Sequence, residues 1–397
     1  MPRIYFDNAA TTKVDSRVVD AMLPFFSDEY GNPSSIHSFG QETSTAIESA
    51  REKISGFLGA NDPQEIVFTS CATESNNLAI WGIFNKFKIK KKKLHFITSK
   101  IEHPSVLQVF KKIEKLGHEV SFIEVDHDGI IKLEQLRKEI KANTVLVSIM
   151  SANNEVGSIQ PVEEIGEIIA KEKIKRQNKE LPIFFHTDAV QALNYLEINV
   201  AKIKCDLLSF SGHKIYAPMG IGVLFIRKGV SLEPLMQGGS HEFNLRPGTS
   251  NVPGIVGLGK AIEILDSEKE KTISKVKKIK EKIIHELKDV KDIRFNGNPD
   301  KQLPNLLNIS FYGAEGESIL MMLDMEGIAI STGSACSSGA LEPSYVLTAM
   351  GIPVEWTHGS IRVSLGRFNS EQEVSTFVTS LKQIVEKLRQ MAPALKQ

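Results

Sequence analysis

From about residue 65 to residue 230 the chain alternates short, β-rich apolar runs with segments of helical spacing, and nothing else in it constrains the fold as much. The runs are Glu65-Ile-Val-Phe-Thr69, Leu94-His-Phe-Ile-Thr98, Val120 to Val125, Thr144 to Ile149, Ile183 to Thr187, Asp206 to Phe210 and Gly222 to Ile226. Strands separated by helices imply βαβ units and a mostly parallel sheet. Pro104 opens one of the helices, where its missing N–H costs nothing. Ligands of such sheets bind beyond the carboxyl ends of the strands. The strand-to-helix junctions are therefore where chemistry is to be sought.

Beyond residue 250 the pattern changes. A Lys/Glu-rich stretch, about Asn251 to Val290, reads as a connecting pair of helices. Leu306 to Phe311 and Ile361 to Leu365 then read as strands, and Glu317 to Met325 and Glu371 to Arg389 as helices. This gives a large domain over 16–260 and a smaller α+β domain made of 1–15 and 261–397, which suits a chain of 397 residues. Lys plus Arg and Asp plus Glu number 48 each, a balance that argues against a dedicated nucleic-acid binder. The run Lys88-Ile-Lys-Lys-Lys-Lys93 reads as a solvated loop. No apolar run approaches the roughly 20 residues that span a bilayer, and the first residues lack the pattern of a secretory signal. The three cysteines, Cys71, Cys205 and Cys336, have no metal-ligand spacing. So sparse and odd a set fits a reducing cytosol, and a cytoplasmic location is expected.

Several junctions carry chemistry-bearing residues. Lys214, in Ser209-Phe-Ser-Gly-His-Lys214, follows a strand; read alone it is a surface loop lysine, but in a confined site such a lysine forms a Schiff base with an aldehyde. Asp188 closes an apolar strand, where an isolated carboxylate needs a positive partner; a pyridinium nitrogen would serve, as would the plainer role of capping the next helix. Gln191, three residues on, is placed to bond a phenolic oxygen. In Thr69-Ser-Cys-Ala-Thr-Glu-Ser-Asn-Asn77 the backbone around Ala72 and Thr73 opens a helix, which makes a phosphate site or a plain N-cap. Ser211 and His213 are further phosphate donors. His103, in Glu102-His-Pro-Ser105, suits stacking on a flat cofactor or proton transfer, although a lone histidine is more often structural. Asn154 follows a strand in the same way. The small-residue run Ser331-Thr-Gly-Ser-Ala-Cys336-Ser-Ser-Gly-Ala340 is expected to be exposed and mobile, a poor place for a packing cysteine. Cys205, before a buried strand, reads as structural, and Cys71 is ambiguous.

Taken together, these segments resemble the cysteine desulfurases of the NifS/IscS family, fold-type I pyridoxal phosphate (PLP) enzymes of the class V aminotransferase group. The resemblance runs almost end to end. It rests on Tyr5-Phe-Asp-Asn-Ala-Ala-Thr-Thr12, Gly31-Asn-Pro-Ser-Ser35, Thr73-Glu-Ser-Asn-Asn77, Asn153-Asn-Glu155, His186-Thr-Asp-Ala-Val-Gln191, Ser211-Gly-His-Lys214, Arg246-Pro-Gly-Thr249, Gly333-Ser-Ala-Cys336 and Arg362-Val-Ser-Leu-Gly366. Any one is weak; in this order they are specific. The segment after Cys336, Ser337 to Leu347, resembles the long-loop, IscS-like group. Departures are Ala217 where many members have Gly, Leu193-Asn-Tyr195 after the Gln, and Cys71 for a frequent Gly.

The resemblance implies a large domain with a mostly parallel seven-stranded sheet flanked by helices, plus a smaller α+β domain. It implies PLP bound by Ala72, Thr73, His103, Asn154, Asp188, Gln191, Ser211, His213 and Lys214, with Thr249 reaching the phosphate from the other subunit of a homodimer. Asn154 and Arg362 would hold the carboxylate of L-cysteine. Lys214 would move the Cα proton, His103 would assist, and Cys336 would take the sulfur as a persulfide, releasing alanine. An iron–sulfur scaffold or another sulfur acceptor would follow. The rival expectation is a selenocysteine lyase or another PLP-dependent aminotransferase-like enzyme, which would keep Lys214, Asp188 and Arg362 without needing Cys336.

Overall fold

The computed structural model describes residues 3–88, 93–176, 181–332 and 343–391. Cys336 and most of the lysine run at 88–93 lie outside the described residues.

The strands, in chain order, are β1 (Ile4–Tyr5), β2 (Ile66–Thr69), β3 (His95–Ser99), β4 (Glu119–Ile123), β5 (Thr144–Ser148), β6 (Phe184–Asp188), β7 (Leu207–Ser211), β8 (Gly222–Ile226), β9 (Ile293–Phe295), β10 (Leu306–Phe311), β11 (Ile328–Ala329) and β12 (Ser360–Ser364). β2 to β8 form one seven-stranded sheet in the order β2-β8-β7-β6-β5-β3-β4. Only β8 runs against its neighbours, β2 and β7; the other pairings are parallel. The expected α/β sheet is therefore present, mostly parallel and seven-stranded.

The apolar runs explain why it forms. β3, β5, β7 and β8 are buried along their whole length, as strands covered on both faces must be. Successive residues alternate between faces. Val67, Leu207 and Leu224 pack with Ile83, Phe84 and Phe110 from the helices Ala72–Phe87 and Pro104–Lys115. Phe68, Leu208 and Phe225 pack on the other side with Ile54, Leu258 and Ile262 from the helices Ser38–Leu58 and Val252–Glu286.

That last element corrects an expectation. The Lys/Glu-rich stretch is one continuous helix of 35 residues, not a pair. Its three glycines, Gly254, Gly257 and Gly259, all fall near its start, and no Gly or Pro follows to end it before Glu286.

The later strands form an antiparallel sheet in the order β12-β10-β9, and β1 pairs in parallel with β11. The first residues thus belong structurally with the last. Phe6, fully buried, meets Phe377 edge to face at 5.3 Å, and Ser364 N donates to Phe6 O at 2.7 Å. Truncating this ring leaves a cavity among ordered neighbours. Phe6→Ala is expected to cost about 3–5 kcal/mol, read as a lower denaturation midpoint at unchanged slope. A loss under about 1 kcal/mol would mean that this core repacks freely.

Candidate active site

The carboxyl ends of β2, β3, β5, β6 and β7 open on one cavity of about 1280 Å³. Its walls carry Ala72, Thr73, His103, Asn154, Asp188, Gln191, Ser211, His213, Lys214 and Arg362. Every cofactor or substrate candidate from the sequence is there except Thr249, which is exposed and lines no part of it. Cys336 lies outside the described residues, but Ser331 and Pro343, on either side of its segment, both line the cavity.

The cavity has two ends. At one, the helix Ala72–Phe87 begins with no side-chain cap from Cys71, so its first N–H groups face an anion site unaided by a capping oxygen. Gly222 makes this close approach feasible, since a Cβ there would sit 2.6 Å from the Cys71 carbonyl carbon. Ser211 Oγ is buried without a hydrogen-bond partner. His213 Nδ1 is 3.2 Å from Thr11 Oγ1, and burial, aided by Lys214, pulls its imidazole down to about 4, so it is neutral. Arg246 Nε pairs with Glu74 Oε1 at 3.1 Å, which ties the segment before Thr249 to the same helix start.

In the middle, a short turn over Gly212–Lys214 follows β7. Tyr216 then takes a left-handed φ of 65°, a strained setting for a non-glycine residue. Thr12 Oγ1 accepts from Tyr216 N at 2.8 Å, and the Arg367 guanidinium lies 4.0 Å from its ring centre. The positive φ falls on Tyr216, not on Ala217, so replacing the usual Gly at 217 costs no backbone strain. Lys214 Nζ donates to Ala9 O and Ala10 O, each at 2.5 Å. Gln191 Nε2 donates to the same Ala9 O at 3.0 Å. Asp188 is buried and accepts from Asn76 Nδ2 at 2.7 Å and from Val190 N at 3.0 Å.

At the far end, Arg362 is held by Asp7 Oδ1 at 2.9 Å and by Asn154 O at 2.9 Å. Arg362 Nε and Asn154 Oδ1 are buried without partners. Nearby, Ser344 Oγ donates to Glu155 Oε2 at 2.5 Å, and burial lifts that carboxyl to about 7. Tyr345 OH donates to Glu102 O at 2.7 Å. Cys205 is fully buried, and burial pushes its thiol up to about 12, so it is inert. Cys71 lines the cavity at the phosphate end.

Sequence reasoning assigned no role to Asp7, the carbonyls of Ala9 and Ala10, or Asn76. The only signals were that they sit in Tyr5–Thr12 and Thr73–Asn77, two of the motifs behind the resemblance. Among the described residues no group of three or more His, Cys, Asp or Glu side chains is placed to hold a metal, and no helix is long and apolar enough to cross a membrane.

A lysine at a strand end, a buried carboxylate, an uncapped helix start with an orphaned serine hydroxyl, and a buried arginine with an unpaired nitrogen match PLP and an amino-acid carboxylate. The donor set fits a phosphate at one end and a carboxylate at the other. Fold and site define a fold-type I PLP enzyme.

The family model "Aminotransferase class-V" matches residues 4–377. "Cysteine desulfurase IscS" of Dictyoglomus turgidum is 47% identical over 391 residues, covering 98% of this chain and 96% of that protein. The solved structure "NIFS-LIKE PROTEIN" superposes with a TM-score of 0.89 at 40% identity, over 97% of this chain and all (100%) of the other. A second, "SspA in complex with cysteine", gives 0.79 at 37% identity, over 92% and 100%. The chain belongs to the PLP-dependent class-V aminotransferases and, within them, to the cysteine desulfurases.

Proposed function

We propose that the enzyme converts L-cysteine to L-alanine and transfers the sulfur to Cys336 as a persulfide. The observation that carries this reading is the meeting of Lys214, Asp188 and Arg362 in one cavity whose wall includes residues on both sides of the Cys336 segment. Covalent geometry limits the chain to about 3.6 Å per residue, so four residues past Thr332 stay within about 14 Å of it.

Asp188 would hold the ring nitrogen of PLP, the N-terminus of the Ala72 helix with Thr73, Ser211 and His213 would hold its phosphate, and Gln191 and His103 would bind its ring. Bound in this way, PLP supplies an electron sink at the substrate Cα. Lys214, its amine at the mouth of β7, would hold the cofactor and serve as the base for the substrate Cα proton. Arg362, with Asn154, takes the substrate carboxylate in a bidentate pair. The Cys336 thiolate attacks the substrate sulfur. An S–S bond forms, the C–S bond breaks, and carbon keeps the electron pair and takes a proton to become the alanine methyl. We place the catalytic sheet in a large domain over 16–260 and the Cys336 segment in a small one of 1–15 and 261–397.

The carboxylate role has a direct test. Arg362→Lys loses the planar fork, so KM for cysteine should rise roughly 10–100-fold, the scale of a charge-assisted pair. An unchanged KM would remove Arg362 from the substrate site.

A homodimer supplies Thr249 to the neighbouring cavity. In support, Thr249 is exposed, and a pocket of mixed polar and apolar lining, with Leu232, Met236, Gln237, Phe243 and Asn244 in its walls, lies on the same stretch of chain. The sulfur passes to a scaffold for iron–sulfur clusters or another thiol acceptor, in the cytoplasm. The test of the whole reading is a single tube in which the holoenzyme receives L-cysteine. Alanine and sulfide appearing together, in the presence of a thiol reductant, are expected. A PLP-bound protein that yields no alanine refutes the reading.

A further inference from the structure

We propose that Ser105 and Asn76 are positioning residues that fix which ring nitrogen of His103 carries the proton, confining it to Nε2. This rests on the desulfurase reading, in which His103 covers the cofactor.

The argument follows the direction of each hydrogen bond. Asp188 is a buried carboxylate and can only accept. Asn76 Nδ2 lies 2.7 Å from Asp188 Oδ2 and 2.9 Å from Ser105 Oγ. Asn76 is fully buried, and its Oδ1 has no partner. A flipped amide would set that oxygen against the carboxylate, so the amide orientation is dictated by charge. Asn76 therefore gives one N–H to Asp188 and the other to the Ser105 hydroxyl. Having accepted there, the hydroxyl gives its own proton to His103 Nδ1 at 2.9 Å. The Ser105 backbone N–H points at the same Nδ1 at 3.1 Å, because His103 is the N-cap of the helix Pro104–Lys115. Two donors thus converge on Nδ1, which must be bare, and the neutral ring keeps its hydrogen on Nε2.

A second proton would have to enter at Nδ1 against both donors. Burial is the main force lowering the ring's proton affinity; of the charges acting on it, Asp188 favours the imidazolium and Lys214 opposes it. The adjoining Glu102, buried, has its carboxyl lifted to about 8 and adds little charge at neutral pH. His103 is thus a neutral N–H donor, not a resident cation. The relay makes the residue that binds the cofactor nitrogen also set the tautomer of the residue that covers the ring.

The experiment is ring-15N magic-angle-spinning NMR on the 15N-histidine-labelled holoenzyme. It is assigned with His103→Gln and run beside pH profiles of kcat/KM. Wild type should show a pyridine-type Nδ1 and a pyrrole-type Nε2 for His103. Ser105→Ala removes one donor to Nδ1, so the His103 titration and the matching limb of the profile should move up by about one pH unit. Ser105→Thr, which keeps the hydroxyl, should restore both. A protonated Nδ1 in wild type, or a Ser105→Ala enzyme whose ring shifts and pH limb do not move, overturns the proposal. Wild type that makes no alanine would overturn the desulfurase reading instead, and the NMR result would still decide the tautomer.

Discussion

Replacing Cys336 with serine is expected to stop persulfide and sulfide formation from cysteine while the absorption band of bound PLP stays as in wild type. Cys336 is not among the residues proposed to hold PLP, whereas the proposed sulfur transfer depends on it completely. A hydroxyl cannot form the S–S bond that lets sulfur leave carbon, and it is hardly ionised at neutral pH. The loss should reach roughly 10³-fold or more, the scale on which removing a catalytic nucleophile acts. Gel assays for protein-bound persulfide, run with sulfide and alanine on one sample, separate the outcomes. Sulfide release at the wild-type rate would sink the thiol mechanism and favour a lyase that uses Lys214, Asp188 and Arg362 alone, as a selenocysteine lyase would.

The second large effect is expected at Lys214. Its Nζ sits between the carbonyls of Ala9 and Ala10, so Lys214→Arg keeps a cation that those oxygens can accept from. What arginine lacks is an amine able to lose its proton, since its pKa lies far above neutrality. It can neither form the covalent link to the aldehyde nor take the Cα proton. The rate of alanine formation in a single turnover should fall by about 10⁴-fold, the upper range for a positioned general base, and the resting PLP band should shift. Retention of activity within tenfold would assign proton transfer to another group. Another lysine or a carboxylate would be the next to test, because a His103 ring that carries its hydrogen on Nε2 can give a proton but not take one.

The contrast between what the sequence revealed and what it hid has a physical pattern. Strands such as β8 were readable because a strand buried on both faces needs an unbroken apolar run, here Val223 to Ile226. The long helix was misjudged because a charge-rich surface suggested an interruption, although no residue in its second half breaks a helix. Lys214, Asp188 and His103, singled out at strand-to-helix junctions, line one cavity. Asp7 and Asn76 were missed because each acts through a partner far along the chain, 355 residues away for Asp7–Arg362 and 112 for Asn76–Asp188. No local pattern encodes such a pairing. Ser105 looked like an ordinary first-turn residue, and only the path from Asp188 to His103 gives it a task. Thr249 is a different case: it is exposed and lines no part of this chain's cavity, and the role proposed for it requires a second copy.

The pairing of β1 with β11, and of Asp7 with Arg362, has a temporal consequence. The residues whose carbonyls accept from Lys214 lie beside Asp7, and the arginine that pairs with Asp7 is made 355 residues later. At about 5–20 residues per second, roughly 20–70 s separate the synthesis of Asp7 from that of Arg362. Through that interval the nascent chain can build its central sheet but not its pocket. Capture of the vitamin-derived cofactor in a closed site therefore waits until Arg362 has been made, and a polypeptide stalled before it holds Lys214 in an unclosed pocket.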